Sequence, residues 1–220
     1  ATGRLHNPTQ IEPLRVFDHG CGNAYLTFAV HYFLIDQDIP NTIIGIDQRD
    51  ESRERNFQIA TDLGLNDSVS FRAEKIAELG KEKVDLAIAL HACDTATDDA
   101  IAWSINNEAQ IVLVSPCCHH DLQTQIVKVA EPWSIVTKNG ILKERLGDIL
   151  TDSLRAQILK LHGYRTDIVE FVGDEHTPRN LLIRSVLTRS VIEGDEKAKY
   201  KELLNIWSVK PHLAEILNFE

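Results

Sequence analysis

The chain has 220 residues, 43% of them hydrophobic, which is enough for one large globular domain, or one domain with an appended helical piece, around a sizeable core. A net charge of −10 argues against broad, sequence-independent binding to nucleic acid, which depends on Lys/Arg–phosphate contacts, while leaving room for a local basic patch. No apolar run approaches the roughly 20 residues that span a bilayer, and no charged-then-apolar signal opens the chain, so no membrane partner is expected.

Four cysteines, two of them adjacent, make a poor disulfide framework at this length and suit a reducing compartment, with the cytoplasm as the expected location. There is no methionine anywhere and the first strand starts almost at once, as in a domain cut from a longer chain whose upstream part is missing.

Residues 1–14, punctuated by Pro8 and Pro13, read as an irregular lead-in. Val16-Phe17-Asp18 is an apolar run ending in an acid. It passes through Gly20-Cys21-Gly22 into an apolar segment from about Ala24 to Ile35, which reads as strand, tight loop and helix. The glycines permit backbone angles closed to other residues and let a ligand approach the main chain, and the helix start offers amide N–H groups to a nucleotide-like cofactor. A dinucleotide fingerprint would need its third glycine at Tyr25, which is too bulky for close helix–strand packing, and NAD loses ground. The helix is apolar nearly all round, so it is expected to be buried against a sheet.

Thr42-Ile43-Ile44-Gly45-Ile46-Asp47 is a second apolar run ending in an acid, placed where an α/β nucleotide site sets a carboxylate against ribose hydroxyls; the competing reading of Asp47 is a turn or helix-capping acid. A helix from Asp50 to Leu63 stops at Gly64, and Ser68 to Arg72 alternates like a strand leading to Ala73-Glu74. Val84 to Leu90 is a fourth strand that exits into His91-Ala92-Cys93-Asp94. Thr95-x-x-Asp98 then resembles a capping box opening the next helix. Gln110 to Ser115 is a fifth strand that exits into Pro116-Cys117-Cys118-His119-His120-Asp121.

Residues 131–147 read as a loop-rich insertion carrying Lys138, Lys143 and Arg145, followed by a helix from about Asp148 to His162. Tyr164 to Val172 and Leu181 to Leu187 read as strands joined by the polar turn Gly173 to Asn180, too short for a crossover helix, so they pair as a hairpin. The tail from about Asp195 to Leu217 is an amphipathic helical extension interrupted near Pro211.

Strands alternating with helices imply an α/β fold with a doubly wound, mostly parallel sheet, here closed by an antiparallel hairpin. Ligands of such sheets bind beyond the carboxyl ends of the strands, so Asp18, Asp47, Glu74, His91, Asp94 and Cys117 should ring one crevice.

Asp18-x-Gly20-x-Gly22, with the acid two residues before the first glycine, resembles the first motif of class I S-adenosylmethionine-dependent methyltransferases. Leu90-His91-Ala92-Cys93-Asp94 and Pro116-Cys117-Cys118-His119-His120 narrow the resemblance. They are similar to a subgroup that includes the methyltransferase domain of glutathione S-transferase C-terminal-domain-containing protein and the eukaryotic tRNA 2′-O-methyltransferases. The resemblance covers about residues 15–187; Ala24 stands where many members have glycine, and Asn23 where relatives often carry Lys.

The resemblance implies a seven-stranded Rossmann-like domain over 15–190, S-adenosylmethionine as cofactor, and RNA (tRNA or rRNA) as acceptor. A protein or small-molecule acceptor, or a non-catalytic cofactor-binding module, are the alternatives. Asp18 and the backbone of Gly20, Cys21 and Gly22 would hold the methionine end, Asp47 the ribose, and Glu74 or the Ala73 backbone the adenine, with His91 beside the cofactor.

For the two Cys/His strand exits three readings compete. One thiolate could add to a pyrimidine ring. Two cysteines and two histidines could hold zinc, although adjacent side chains diverge on an extended backbone and zinc-finger spacing is absent; no metal is expected. The reading adopted is a shaped acceptor pocket formed by His91, Asp94, Pro116, Cys117 and His119. In it His91 or His119 serves as base or orienting group, the cysteines fill space, and satisfied buried histidines are the plain alternative.

Overall fold

The computed structural model describes residues 12–90, 92–127, 129, 131–170, 180–190 and 194–219. Seven strands form one sheet: β1 (Leu14–His19), β2 (Asn41–Asp47), β3 (Val69–Ala73), β4 (Leu86–Ala89), β5 (Ile111–Val114), β6 (Tyr164–Glu170) and β7 (Leu181–Leu187). Their order is β3-β2-β1-β4-β5-β7-β6. β1 to β5 pair in parallel, and β7 runs antiparallel to both neighbours, from Ile111↔Val186 on one side to Tyr164↔Leu187 on the other. This is the doubly wound sheet with an antiparallel closing hairpin that the sequence implied. The turn expected over Gly173–Asn180 lies outside the described residues except for Asn180.

The central strands are apolar on both faces because both faces are covered. Leu14, Val16, Ile43, Leu86, Ile88 and Ile111 pack on one side. On the other, Phe17, Ala87, Ala89, Val112 and Val114 meet Trp103, Leu154 and Ile158. The helices are α1 (Tyr25–Asp36), α2 (Asp50–Asp62), α3 (Thr95–Asn106), α4 (His120–Gln125), α5 (Ser134–Thr137), α6 (Gly140–Leu161), α7 (Glu196–Trp207) and α8 (His212–Ile216), with a short 3₁₀ turn at Ile76–Glu78. The C-terminal helices join this second layer, with Tyr200, Trp207 and Leu213 buried in it and α8 packed on α3.

Three local expectations are corrected. α1 is not buried all round: Tyr25, Tyr32, Phe33 and Ile35 are exposed, and the inward residues are Thr27, His31 and Leu34. The reason is hydrogen bonding, because Thr27 serves Asp18 and the His31 ring pairs with Asn41 at 2.8 Å. No capping box opens α3: no side chain caps it, and Asp98 turns inward to accept from Arg155 Nε at 2.7 Å. The segment read as a loop through Gly147 is helical from Gly140 onward. Gly147 sits inside α6 because α4 crosses there, where a Cβ would come within 2.4 Å of the Gln123 side chain.

Candidate active site

The strand order reverses between β1 and β4, and the loop after β1 opens the crevice there. Gly20, Gly22 and Ala24 all have positive φ, at 73°, 52° and 60°. The loop is laced back onto β2 by Gly20 and Cys21 N–H donating to the Ile46 carbonyl, at 2.8 and 2.9 Å. Ala24 thus holds a left-handed conformation that costs a non-glycine residue about 1–2 kcal/mol, which accounts for glycine being common there in the family it resembles.

Beneath the loop, Asp18 is 3% exposed and accepts from Thr27 Oγ1 at 2.6 Å; burial pushes its carboxyl up to about 6. Cys21 is also buried there, its thiol pushed up to about 12, first by burial and then by the Asp18 and Asp47 charges. Neither residue lines the cleft above.

Asp47 ends β2. Its Oδ2 accepts from Gly22 N–H at 3.1 Å and Arg49 Nη2 at 3.0 Å, and its Oδ1 from Arg49 N–H at 3.0 Å and Nε at 2.9 Å. Burial works to raise this carboxyl, but the Arg49 bonds and charge outweigh it and hold the group below its usual value. The cleft, of about 450 Å³, falls within the roughly 300–1,000 Å³ of small-ligand sites. It brings together Gly20, Gly22, Asp47 and Glu74 from the expected set. Glu74 is exposed, and its N–H donates to the Asp47 carbonyl at 3.2 Å.

Sequence reasoning missed the rest of the wall, including Arg49, Ile76, Ala77, Ala96 and Asp99. Arg49 lies two residues past an expected ligand, and Ile76 and Ala77 directly follow Glu74, so proximity to the motifs was the available signal. Asp99 carried none. It reaches the cleft from α3, just past its first turn, and pairs with His212 Nε2 at 3.3 Å.

The two Cys/His exits also meet. Cys93 lines the cleft and its Sγ lies 3.3 Å from Cys117 Sγ, which lies 3.7 Å from Cys118 Sγ. The adjacent thiols do not diverge, because β5 ends at Val114 and the backbone is no longer extended strand by Cys117. Burial, followed by the neighbouring thiols, pushes the Cys117 thiol up to about 12, the opposite of what an activated lone thiolate requires.

Asp94 does not line the cleft. It has φ 50°, ψ −119°, and its carboxylate accepts from Asp121 N–H at 3.1–3.2 Å. Pro116 is buried. His91 lies outside the described residues.

His119 is 4% exposed and faces away from the cleft into a charged network. Its Nε2 is 2.8 Å from Asp152 Oδ1, and its Nδ1 is 3.1 Å from Asp148 Oδ1, off the line of a hydrogen bond. Arg155, 2% exposed, joins Asp98, Asp152 and the Asp94 carbonyl. The crevice expected to be ringed by six residues is therefore lined by Asp47 and Glu74. Cys117 adjoins it through Cys93, while Asp18 and Asp94 support it from behind.

A family model described as a methyltransferase domain matches residues 4–125, more than half of the chain, spanning β1 to β5. No curated protein matches. Among solved structures, magnesium protoporphyrin IX methyltransferase from Synechocystis PCC 6803 with bound SAH is similar at 16% identity and TM-score 0.52, over 84% of this chain and 79% of that one. Geranyl diphosphate C-methyltransferase from Streptomyces coelicolor A3(2), in complex with Mg2+, geranyl diphosphate and S-adenosyl-L-homocysteine, is similar at 11% identity and TM-score 0.51, over 80% and 71%. At such identities the likeness shows the fold. Among the described residues no helix is long and apolar enough to cross a membrane. Fold likeness and family match agree: the chain belongs to the methyltransferase domain family.

Proposed function

We propose that residues 15–190 carry S-adenosylmethionine in the cleft between the glycine loop, Asp47 and Ile76-Ala77, and transfer its methyl group to RNA, with residues 191–220 as a supporting extension. The observation that carries the cofactor placement is Asp47, a buried carboxylate at the end of β2 beside two positive-φ glycines. The donor set fits the group. A carboxylate suits a ribose diol, Ile76 and Ala77 offer an apolar wall to a flat base, and Glu74 and Asp99 put further negative charge near a cationic ligand.

When bound, the cofactor supplies a methyl group already activated on a sulfonium, so the chain's task is alignment and, where the acceptor bears a proton, its removal. Asp47 would hold the ribose hydroxyls, for which Arg49, now paired with it, would have to give way. Gly20 and Gly22 would admit the methionine portion to the backbone, and Asp18 beneath the loop fixes the loop's shape through Thr27. On the acceptor side would stand Cys93, Cys117 and Pro116, and the role of proton acceptor is assigned to His91 from its place in the sequence motif alone. Asp94 and His119 position this wall from behind, and His212 braces Asp99 from the extension.

RNA rests on the resemblance of the Leu90–Asp94 and Pro116–His120 motifs to RNA-methylating relatives. A small-molecule or protein acceptor is the second reading, favoured by the net charge of −10. Incubating the protein with tritium-labelled S-adenosylmethionine and separated RNA, protein and metabolite fractions decides between them. Salt-sensitive label in RNA is the expected result, and label confined to another fraction overturns the RNA assignment.

A further inference from the structure

We propose that Cys93, Cys117 and Cys118 bind one Zn2+ ion through three thiolates, with the fourth coordination position left open. The three sulfur atoms all lie within 4.8 Å of one another, with Cys93–Cys117 at 3.3 Å and Cys117–Cys118 at 3.7 Å. Sulfurs bound at about 2.3 Å in a tetrahedron are about 3.8 Å apart, so one ion fits among them with sub-ångström adjustment. Thiolate ligands select zinc and other thiophilic ions over magnesium or calcium.

The convergence is held by the protein on both strand exits. Before Cys93, the Ala92 carbonyl accepts from Thr97 Oγ1 at 2.5 Å. After it, the Asp94 carbonyl accepts from Arg155 Nη2 at 2.9 Å, and the Asp94 carboxylate grips the Asp121 N–H. On the other exit, buried Pro116 precedes the cysteine pair, and His119, anchored on Asp152, follows it. Asp94 at φ 50° adopts a backbone conformation that costs a non-glycine residue about 1–3 kcal/mol, and such strain persists where the surroundings enforce it. These ties bring residues beyond the ends of β4 and β5, 24 apart in sequence, to one point.

Three protein ligands with one open position is the arrangement of reactive zinc sites, whereas structural sites are closed by four. Cys93 lines the cofactor cleft, so the ion would form part of its wall. Binding releases the thiol protons to solvent and requires no oxidant. The site stands or falls independently of the acceptor proposed above.

The test is titration of the reduced, chelator-treated full chain with Co2+, followed by Zn2+ competition. One equivalent of Co2+ giving thiolate-to-metal charge-transfer absorption, displaced by Zn2+, is expected. Since loss of an outer-shell partner alone costs about 10–100-fold in metal affinity, Cys93→Ser, Cys117→Ser and Cys118→Ser should each weaken Zn2+ binding by at least about 100-fold. Cys21→Ser, beneath the glycine loop, should keep one equivalent, and circular dichroism verifies that each variant is folded. Absent charge-transfer absorption in the reduced wild type overturns the site, as does a folded Cys93→Ser that binds Zn2+ like the wild type. A Cys93–Cys117 disulfide in air, with no metal uptake after reduction, overturns it equally.

Discussion

Replacing Asp47 with alanine tests the cofactor placement at its centre. In the structure both carboxylate oxygens are occupied, by Arg49 and by the Gly22 N–H. On the proposed placement, cofactor binding would exchange the Arg49 ion pair for ribose hydroxyls. Arg49 is 61% exposed, so releasing it costs about 0–1 kcal/mol. Two hydrogen bonds to a charged acceptor are worth about 1.5–3 kcal/mol each. The net loss in Asp47→Ala is then roughly 2–6 kcal/mol, or at least about 30-fold in Kd for S-adenosylhomocysteine measured by calorimetry.

Arg49→Ala removes the competitor and should tighten binding by up to about fivefold, with its own contact to Asp47 gone. Asp47→Asn keeps an oxygen for the Gly22 amide and should fall between wild type and Asp47→Ala, which separates loss of the ribose contact from loosening of the loop. If Asp47→Ala binds within threefold of wild type while folded, the ribose assignment is refuted.

His19 is fully buried, neither ring nitrogen has a hydrogen-bond partner, and burial lowers its pKa to about 3. Because the folded value lies below the unfolded one, its contribution is fully present above about pH 6.5 and is lost as pH falls toward 3, by on the order of 5 kcal/mol. His19→Phe should flatten that acid limb in urea melts and leave stability at pH 7.5 equal or higher, since a buried group without a partner is replaced by an apolar ring. Asp18, raised to about 6, runs the opposite way, favouring the fold below pH 4 and losing that contribution as pH rises through 6. Asp18→Asn should therefore remove a decline in stability between pH 4 and 6 in the same melts. Asp98→Ala leaves Arg155 short of its bidentate partner in the interior and should cost about 3–5 kcal/mol, whereas Asp98→Leu with Arg155→Met should restore most of it. Gly147→Ala should cost about 1–3 kcal/mol by driving a methyl into Gln123, and Gln123→Ala should relieve it.

Much of the fold was legible in the sequence because parallel strands covered on both faces are short apolar runs, and glycines and acids punctuate them at the ligand-binding end. That Asp47, Gly20 and Gly22 share one cleft was legible for the same reason, since their position at strand ends follows from chain order alone. What local pattern could not convey was the direction in which polar side chains point. The composition of α1 read as buried, yet Thr27 and His31 face inward because Asp18 and Asn41 need partners there, and the aromatic residues face out. Thr95-x-x-Asp98 has the spacing of a cap, but Arg155, distant in sequence, claims Asp98. Gly147 read as a loop residue, while its reason lies in the crossing of α4 and α6. The thiol cluster is the clearest case. The sequence by itself determined that two strands exit into cysteines, and only the tertiary structure, through the Asp94–Asp121 and Asp94–Arg155 ties, decided that three sulfurs converge beside the cleft of Gly20, Gly22 and Asp47.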